Sequence, residues 1–149
     1  MKIALPDLVA TSGLGAAIAE KLRAGDVVAL SGALGAGKTS LARAIIAALG
    51  HRGEVPSPSF SIIELYQPPE TRIPLVHADF YRIASPSEAR EIGLDDYRQG
   101  AILLAEWPEN IGGFADEPAC LSIALEAADE GRIAIVEAGP DWLGRIPWP

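Results

Sequence analysis

The alternation of strand-like and helix-like segments predicts an α/β fold. Three observations carry that expectation. Residues 27–30 and 101–105 are continuous apolar runs, the pattern of strands buried on both faces. Between them, Leu41, Ile45 and Leu49 recur at i, i+4 and i+8, the spacing of a helix that packs one face on a sheet. Residues 121–126 and 132–137 alternate with period two and are joined by a glycine-containing loop. That pattern predicts a C-terminal antiparallel hairpin added at one side.

The elements follow in chain order. Residues 3–5 read as a short first strand. Thr11 or Ser12 caps a helix that runs to about Arg23, with Leu14, Ile18 and Leu22 on one face. Gly25-Asp26 turns the chain into the strand at 27–30. A glycine-rich loop leads to a helix over 38–49, which Gly50 terminates. Residues 60–66 and 73–79 read as two strands, and the proline-containing stretches 55–58 and 67–74 as loops. Ser85-Pro86-Ser87-Glu88 has the form of a capping box with proline at the first helical position, and its helix stops at Gly93. The strand at 101–106 and the hairpin complete the series.

The chain has 149 residues, the size of one domain over 1–149. It is 49% hydrophobic, with a mean hydropathy of +0.21, which excludes a disordered chain. A chain of this size buries about 68–70% of its unfolded surface, enough for a core without covalent staples. The single cysteine, Cys120, excludes an intramolecular disulfide framework and a cysteine-rich zinc site. No apolar run approaches the ~18 residues of a membrane span, and the N-terminus is too weak for a signal peptide. A cytoplasmic location without membrane contact is expected. The formal charge of −8 argues against an independent grip on nucleic acid, which needs a basic footprint.

Function is concentrated in Gly32-Ala33-Leu34-Gly35-Ala36-Gly37-Lys38-Thr39, a complete GxxxxGK[ST] match between a buried strand and an amphipathic helix. The residue types suit the chemistry. Glycines let successive backbone N–H groups converge on phosphate oxygens. The helix N-terminus adds partial positive charge at the same point. Lys38 would bridge the β- and γ-phosphates, and the Thr39 hydroxyl would hold Mg²⁺. The bland alternative is a glycine-rich turn; a chance match is expected in roughly two such chains per thousand.

The Asn-Lys-x-Asp segment that reads guanine is absent: the one asparagine, Asn110, is followed by Ile111. ATP is therefore favoured over GTP. Asp141-Trp142-Leu143-Gly144 matches a DxxG pattern but follows no switch-like strand and reads as chance. Nucleotide hydrolysis also needs an acid at a strand end. Asp79 and Glu106 both end apolar strands, where α/β proteins bind ligands, and pattern alone does not rank them. His77 reads first as a hydrogen-bonded structural histidine. His51 and His77 are far apart in sequence, which argues against zinc. Trp107 reads as core or rim packing that could wall a nucleotide pocket, and Trp142 and Trp148 as anchors of the tail.

Four ordered blocks together resemble one family, the small bacterial TsaE proteins of tRNA threonylcarbamoyladenosine biosynthesis. They are residues 32–41 (GALGAGKTSL), Ser57-Pro58-Ser59-Phe60, the set His77, Asp79, Tyr81 and Arg82, and the set Glu106, Trp107 and Glu109. The resemblance runs from about Pro6 to Glu109; the residues beyond match only in style. It implies a P-loop three-layer sandwich, a mainly parallel central sheet with antiparallel strands at its sides. It implies ATP hydrolysis that is weak alone and rises in complex with two partners, TsaB and TsaD. TsaD transfers the threonylcarbamoyl group to adenosine 37 of tRNA, so any link of this chain to tRNA is indirect.

Carried over by residue, the resemblance implies that Lys38 and the backbone of Gly35, Ala36, Gly37, Thr39 and Ser40 hold the phosphates. Thr39 and Glu106 would hold Mg²⁺, Asp79 would support the metal or its waters, and Ser59 would stand near the γ-phosphate. Trp107 would lie beside the nucleotide, and residues 6–11, including Thr11, near the adenine. Two positions depart from the family pattern: Ala33 stands where Asp is common, and Ser59 where Thr is usual. Beside the accessory ATPase stand two other readings. A small-molecule kinase shares the loop but needs an acceptor site and an arginine-bearing lid, for which the scattered arginines give no cluster. A nucleotide-dependent binding switch would use residues 57–60 and 88–97 as segments ordered by the γ-phosphate.

Overall fold

The computed structural model describes residues 1–58 and 62–146. In chain order the elements are β1 (Lys2–Leu5), α1 (Leu8–Lys21), β2 (Val27–Ser31), α2 (Lys38–Ala48), β3 (Ile63–Tyr66), β4 (Leu75–Asp79), α3 (Pro86–Glu91), α4 (Leu94–Tyr97), β5 (Ile102–Glu106), β6 (Cys120–Ala127) and β7 (Arg132–Ala138). Short 3-10 turns lie at Pro108–Ile111 and Pro140–Trp142. The strands form one sheet in the order β1-β7-β6-β2-β5-β4-β3. The centre is parallel: β2 pairs with β6 on one side and β5 on the other, and β5 pairs with β4. The flanks are antiparallel, through β3 on β4 and through β7 on β6 and β1.

The apolar runs are buried on both faces because successive strand residues point to opposite sides. Val28 and Leu30 of β2, with Ile102 and Leu104 of β5, join the core under α1 and α2. Val27 and Ala29, with Leu103 and Ala105, join a second core with Phe80, Ala89 and Leu94. The sheet is thus a middle layer between helices. β2 is central, with parallel neighbours on both sides, so the loop leaving it opens at the carboxyl end of the sheet, where open α/β sheets bind ligands.

Several local expectations change. α1 begins at Leu8 rather than after Thr11 or Ser12. Asp7 is extended (φ −153°), and its carboxylate accepts from the Ala10 N–H at 2.9 Å, satisfying a donor that the helix leaves open. Thr11 lies inside the helix instead, its hydroxyl donating to the Asp7 carbonyl at 3.4 Å. The helix stops at Lys21, because Leu22 turns to ψ 144°. β4 starts at Leu75; the carbonyl of Pro74 accepts from Ile102, but its ring nitrogen has no N–H to give. Residues 60 and 61 of the expected strand at 60–66 lie outside the described residues. Ser85 occupies the cap position of α3 but accepts from none of its backbone N–H groups, its hydroxyl pairing instead with the Ser87 hydroxyl at 2.9 Å. The extra turn α4 follows Gly93, which adopts φ 81°. The hairpin is β6–β7, but β6 enters the parallel centre. Trp142 is fully buried and donates from Nε1 to the Ala119 carbonyl at 2.8 Å. Trp148 is outside the described residues.

Candidate functional site

Residues 32–37 join the end of β2 to α2. The turn into the helix depends on Gly37, which adopts φ 103°, a left-handed value that costs other residues strain. No side chain caps α2, so its first N–H groups stay available to an anion at its N-terminus. Lys38 folds back over this loop. Its Nζ donates to the carbonyls of Gly32 at 2.6 Å and Ala33 at 2.8 Å, and sits 4.3 Å from the centre of the Trp107 ring. Only 5% of Lys38 is exposed. Burial pushes its ammonium below the ordinary lysine range, opposed by the carboxylates of Glu106, Glu109 and Asp79.

The two strand-end acids share a register position, Asp79 on β4 beside Glu106 on β5. Their environments separate them. Glu106 is 2% exposed and held at both oxygens: Oε1 accepts from the Thr39 hydroxyl at 2.9 Å, and Oε2 lies 2.6 Å from His77 Nε2. His77 is fully buried, as expected of a hydrogen-bonded structural histidine, and its partner is now identified. The Asp79 Oδ1 accepts from the Tyr81 N–H at 2.9 Å, which fixes the chain leaving β4. Trp107, just after Glu106, takes the left-handed φ of 58°, unusual for a bulky residue. There its ring meets both Lys38 and Tyr81, the latter at 5.0 Å.

A cavity of about 250 Å³ opens among these groups, lined by Gly35, Gly37, Lys38, Thr39, Ser40, Asp79, Glu106 and Trp107. Ala36 does not line it. Ala36 and Thr11 instead line an adjoining cavity of about 260 Å³, together with Leu5, Asp7 and Leu8. Ser59 lies outside the described residues. Among those described, no three His, Cys, Asp or Glu side chains group to hold a metal. The donors present are hard oxygens, the Thr39 hydroxyl with the nearby Glu106 carboxylate, and they suit Mg²⁺, which takes one or two carboxylates and leaves its other positions to water and phosphate. No helix among the described residues is long and apolar enough to cross a membrane.

Sequence reasoning missed a residue whose side chain hydrogen-bonds to the loop. Arg132, at the start of β7, donates to the carbonyls of Gly35 and Ala36, each at 3.0 Å. No local spacing links residue 132 to residues 35 and 36, and a bond to backbone carbonyls leaves no mark on the residue types there.

A parallel-centred sheet with a glycine-rich loop leaving its central strand and a lysine at the start of the next helix defines the P-loop α/β class. The family model described as "Threonylcarbamoyl adenosine biosynthesis protein TsaE" matches residues 5–134. The chain belongs to the TsaE family, which serves tRNA threonylcarbamoyladenosine biosynthesis. The match extends beyond Glu109, where the resemblance from motifs ends, to take in β6 and the start of β7. The protein of that name from Synechocystis sp. is 40% identical over 116 residues, covering 74% of this chain and 72% of the relative. The one from Rickettsia felis is 34% identical over 123 residues, covering 82% and 70%. The crystal structure of Bacillus subtilus YdiB superposes with a TM-score of 0.69 at 28% identity, covering 95% of this chain and 86% of that one.

Proposed function

We propose that this chain is a Mg²⁺-dependent ATPase that serves the formation of N6-threonylcarbamoyladenosine at position 37 of tRNA by acting on a TsaB–TsaD complex. The observation that carries the reading is the Thr39–Glu106 contact beside Lys38, which unites the end of β5 with the start of α2. In this reading the α2 N-terminus and the backbone of Gly35, Ala36, Gly37, Thr39 and Ser40 receive the phosphates. Lys38 exchanges its two carbonyl partners, Gly32 and Ala33, for phosphate oxygens. The exchange gives an ammonium whose charge burial disfavours a stronger, charge-assisted partner.

Thr39 and Glu106 would hold Mg²⁺, which when bound would neutralise charge on the phosphate oxygens. His77 fixes the orientation of the Glu106 carboxylate from behind. Asp79, beside Glu106 in the register, would support the metal or its waters. Trp107 walls the phosphate cavity, and the cavity bounded by Leu5, Leu8 and Thr11 takes the adenine. Catalysis of this kind is positioning and charge stabilisation rather than covalent chemistry. Because the chain carries −8, its link to tRNA runs through its partners.

The test is phosphate release from ATP by the isolated chain and by the chain with TsaB, TsaD and tRNA. Low activity alone and a marked rise with the partners is the expected result; equal activity in both would contradict the proposal.

A further inference from the structure

We infer that Arg132 is a positioning residue that sets the backbone of the phosphate loop, so that the loop is shaped before any nucleotide arrives. The inference rests on the proposed phosphate-binding role of residues 32–39. The guanidinium forks across two consecutive peptide units: Nε donates to the Ala36 carbonyl and Nη2 to the Gly35 carbonyl, both at 3.0 Å. A trans peptide plane points its C=O and its N–H in opposite directions. Holding the Ala36 carbonyl toward Arg132 therefore turns the Gly37 N–H away from it, and the same constraint applies at the Gly35–Ala36 unit. The loop would otherwise have to fix these dihedrals when phosphate binds, at an entropic cost.

The anchor is itself fixed. Arg132 opens β7 and pairs in register with Leu5 of β1 and Ala127 of β6. Its Nη1 donates to the Gly131 carbonyl at 2.9 Å. Gly131 lies so close to β1 that a Cβ there would stand 2.1 Å from the Leu5 carbonyl oxygen. The turn carrying Arg132 is thus pressed onto the sheet edge, and the rigidity of that edge passes to the loop. A planar fork suits two neighbouring carbonyls, which a single ammonium on a flexible stem does not match.

The experiment is calorimetric titration of wild type, Arg132→Gln and Arg132→Lys with Mg-ATP and, separately, with inorganic tripolyphosphate, below the unfolding temperature of each. In Arg132→Gln tripolyphosphate is expected to bind about tenfold more weakly, and Mg-ATP at least as much, because Arg132 also lines the cavity given to the adenine. Arg132→Lys, which keeps the charge, is expected not to restore wild-type affinity. A loss confined to ATP would make Arg132 a base or ribose contact and overturn the inference, as would unchanged affinity. Full recovery in Arg132→Lys would overturn it too, by assigning the effect to charge alone. Should Arg132→Gln not fold, the lysine variant carries the same comparison. Wild type that binds neither ligand would overturn the nucleotide reading itself, a failure distinct from wild type that binds and variants that bind equally well.

Discussion

Buried charge occurs at both ends of the central sheet, and the two ends treat it differently. At the amino end of β2, Asp26 and Arg145 form a closed pair. One Asp26 oxygen accepts from Arg145 Nη2, and the other from Arg145 Nη1 at 2.6 Å and the Arg23 N–H at 2.7 Å. Arg145 also donates to the Lys21 carbonyl and lies 4.1 Å from the Trp142 ring centre. Neither residue lines a cavity beside the phosphate loop. At the carboxyl end, Lys38 and Glu106 are as deeply buried but border a cavity, and Lys38 spends its donors on carbonyls of its own loop. Among the described residues, His77 Nδ1 has no hydrogen-bond partner there. A closed network ties the C-terminal tail to the sheet. An open one keeps charge ready for a ligand. Burial of charge alone therefore does not mark a site; burial beside empty space does.

Asp26→Ala should break this contrast most strongly. It leaves the Arg145 guanidinium buried without its anion, at a cost of about 3–5 kcal/mol to stability, read from urea denaturation. At temperatures where the variant stays folded, nucleotide affinity should be unchanged, because the pair lies at the opposite end of β2. Glu106→Ala should do the converse. ATP hydrolysis in the presence of the partners is expected to fall about 100-fold, while ATP affinity stays within a few-fold, measured on the same preparation. If Glu106→Ala still supports full hydrolysis, the carboxyl end holds its charge for another reason.

The site was legible in the sequence where its parts are contiguous. The loop from Gly32 to Thr39 and the strand ends at Asp79 and Glu106 are local signals, because glycine spacing and apolar runs act over a few residues. What sequence spacing did not give was pairing across the fold. His77 with Glu106, Arg132 with Gly35 and Ala36, and Asp26 with Arg145 join residues 29 to 119 positions apart. Only the sheet order brings them together. The start of α1 was misplaced for a local reason: Asp7, Thr11 and Ser12 are all capping residue types, and the choice fell to Asp7, whose carboxylate reaches the Ala10 N–H. The strand runs were readable because both faces of the parallel centre are buried, whereas α4 is a single turn too short to carry a period.

The smallest expected effect concerns an uncharged group buried at the amino end, Cys120, beside Val27 of β2. Burial pushes the Cys120 thiol above its ordinary range; the hydrogen bond with Ser122 and the charge of Arg98 act the other way, and Glu117 adds to the rise. The folded state therefore favours the neutral thiol. That contribution is complete below the thiol's ordinary pKa in the unfolded chain and is lost as pH rises through the higher folded value. Unfolding free energy should decline over this alkaline range, and Cys120→Ala should flatten that part of the profile. A thiol that reacts with iodoacetamide as fast as free cysteine would contradict its burial.

The central claim is that the charge at the carboxyl end is kept for nucleotide phosphate. Equilibrium titration of Mg-ATP into wild type and Lys38→Ala tests it most directly. Wild type should bind one equivalent. Lys38→Ala should lose about 10- to 100-fold in affinity while keeping the circular dichroism spectrum and cooperative unfolding of the parent. Equal affinity in the two proteins, or loss of the fold in Lys38→Ala, would contradict the claim.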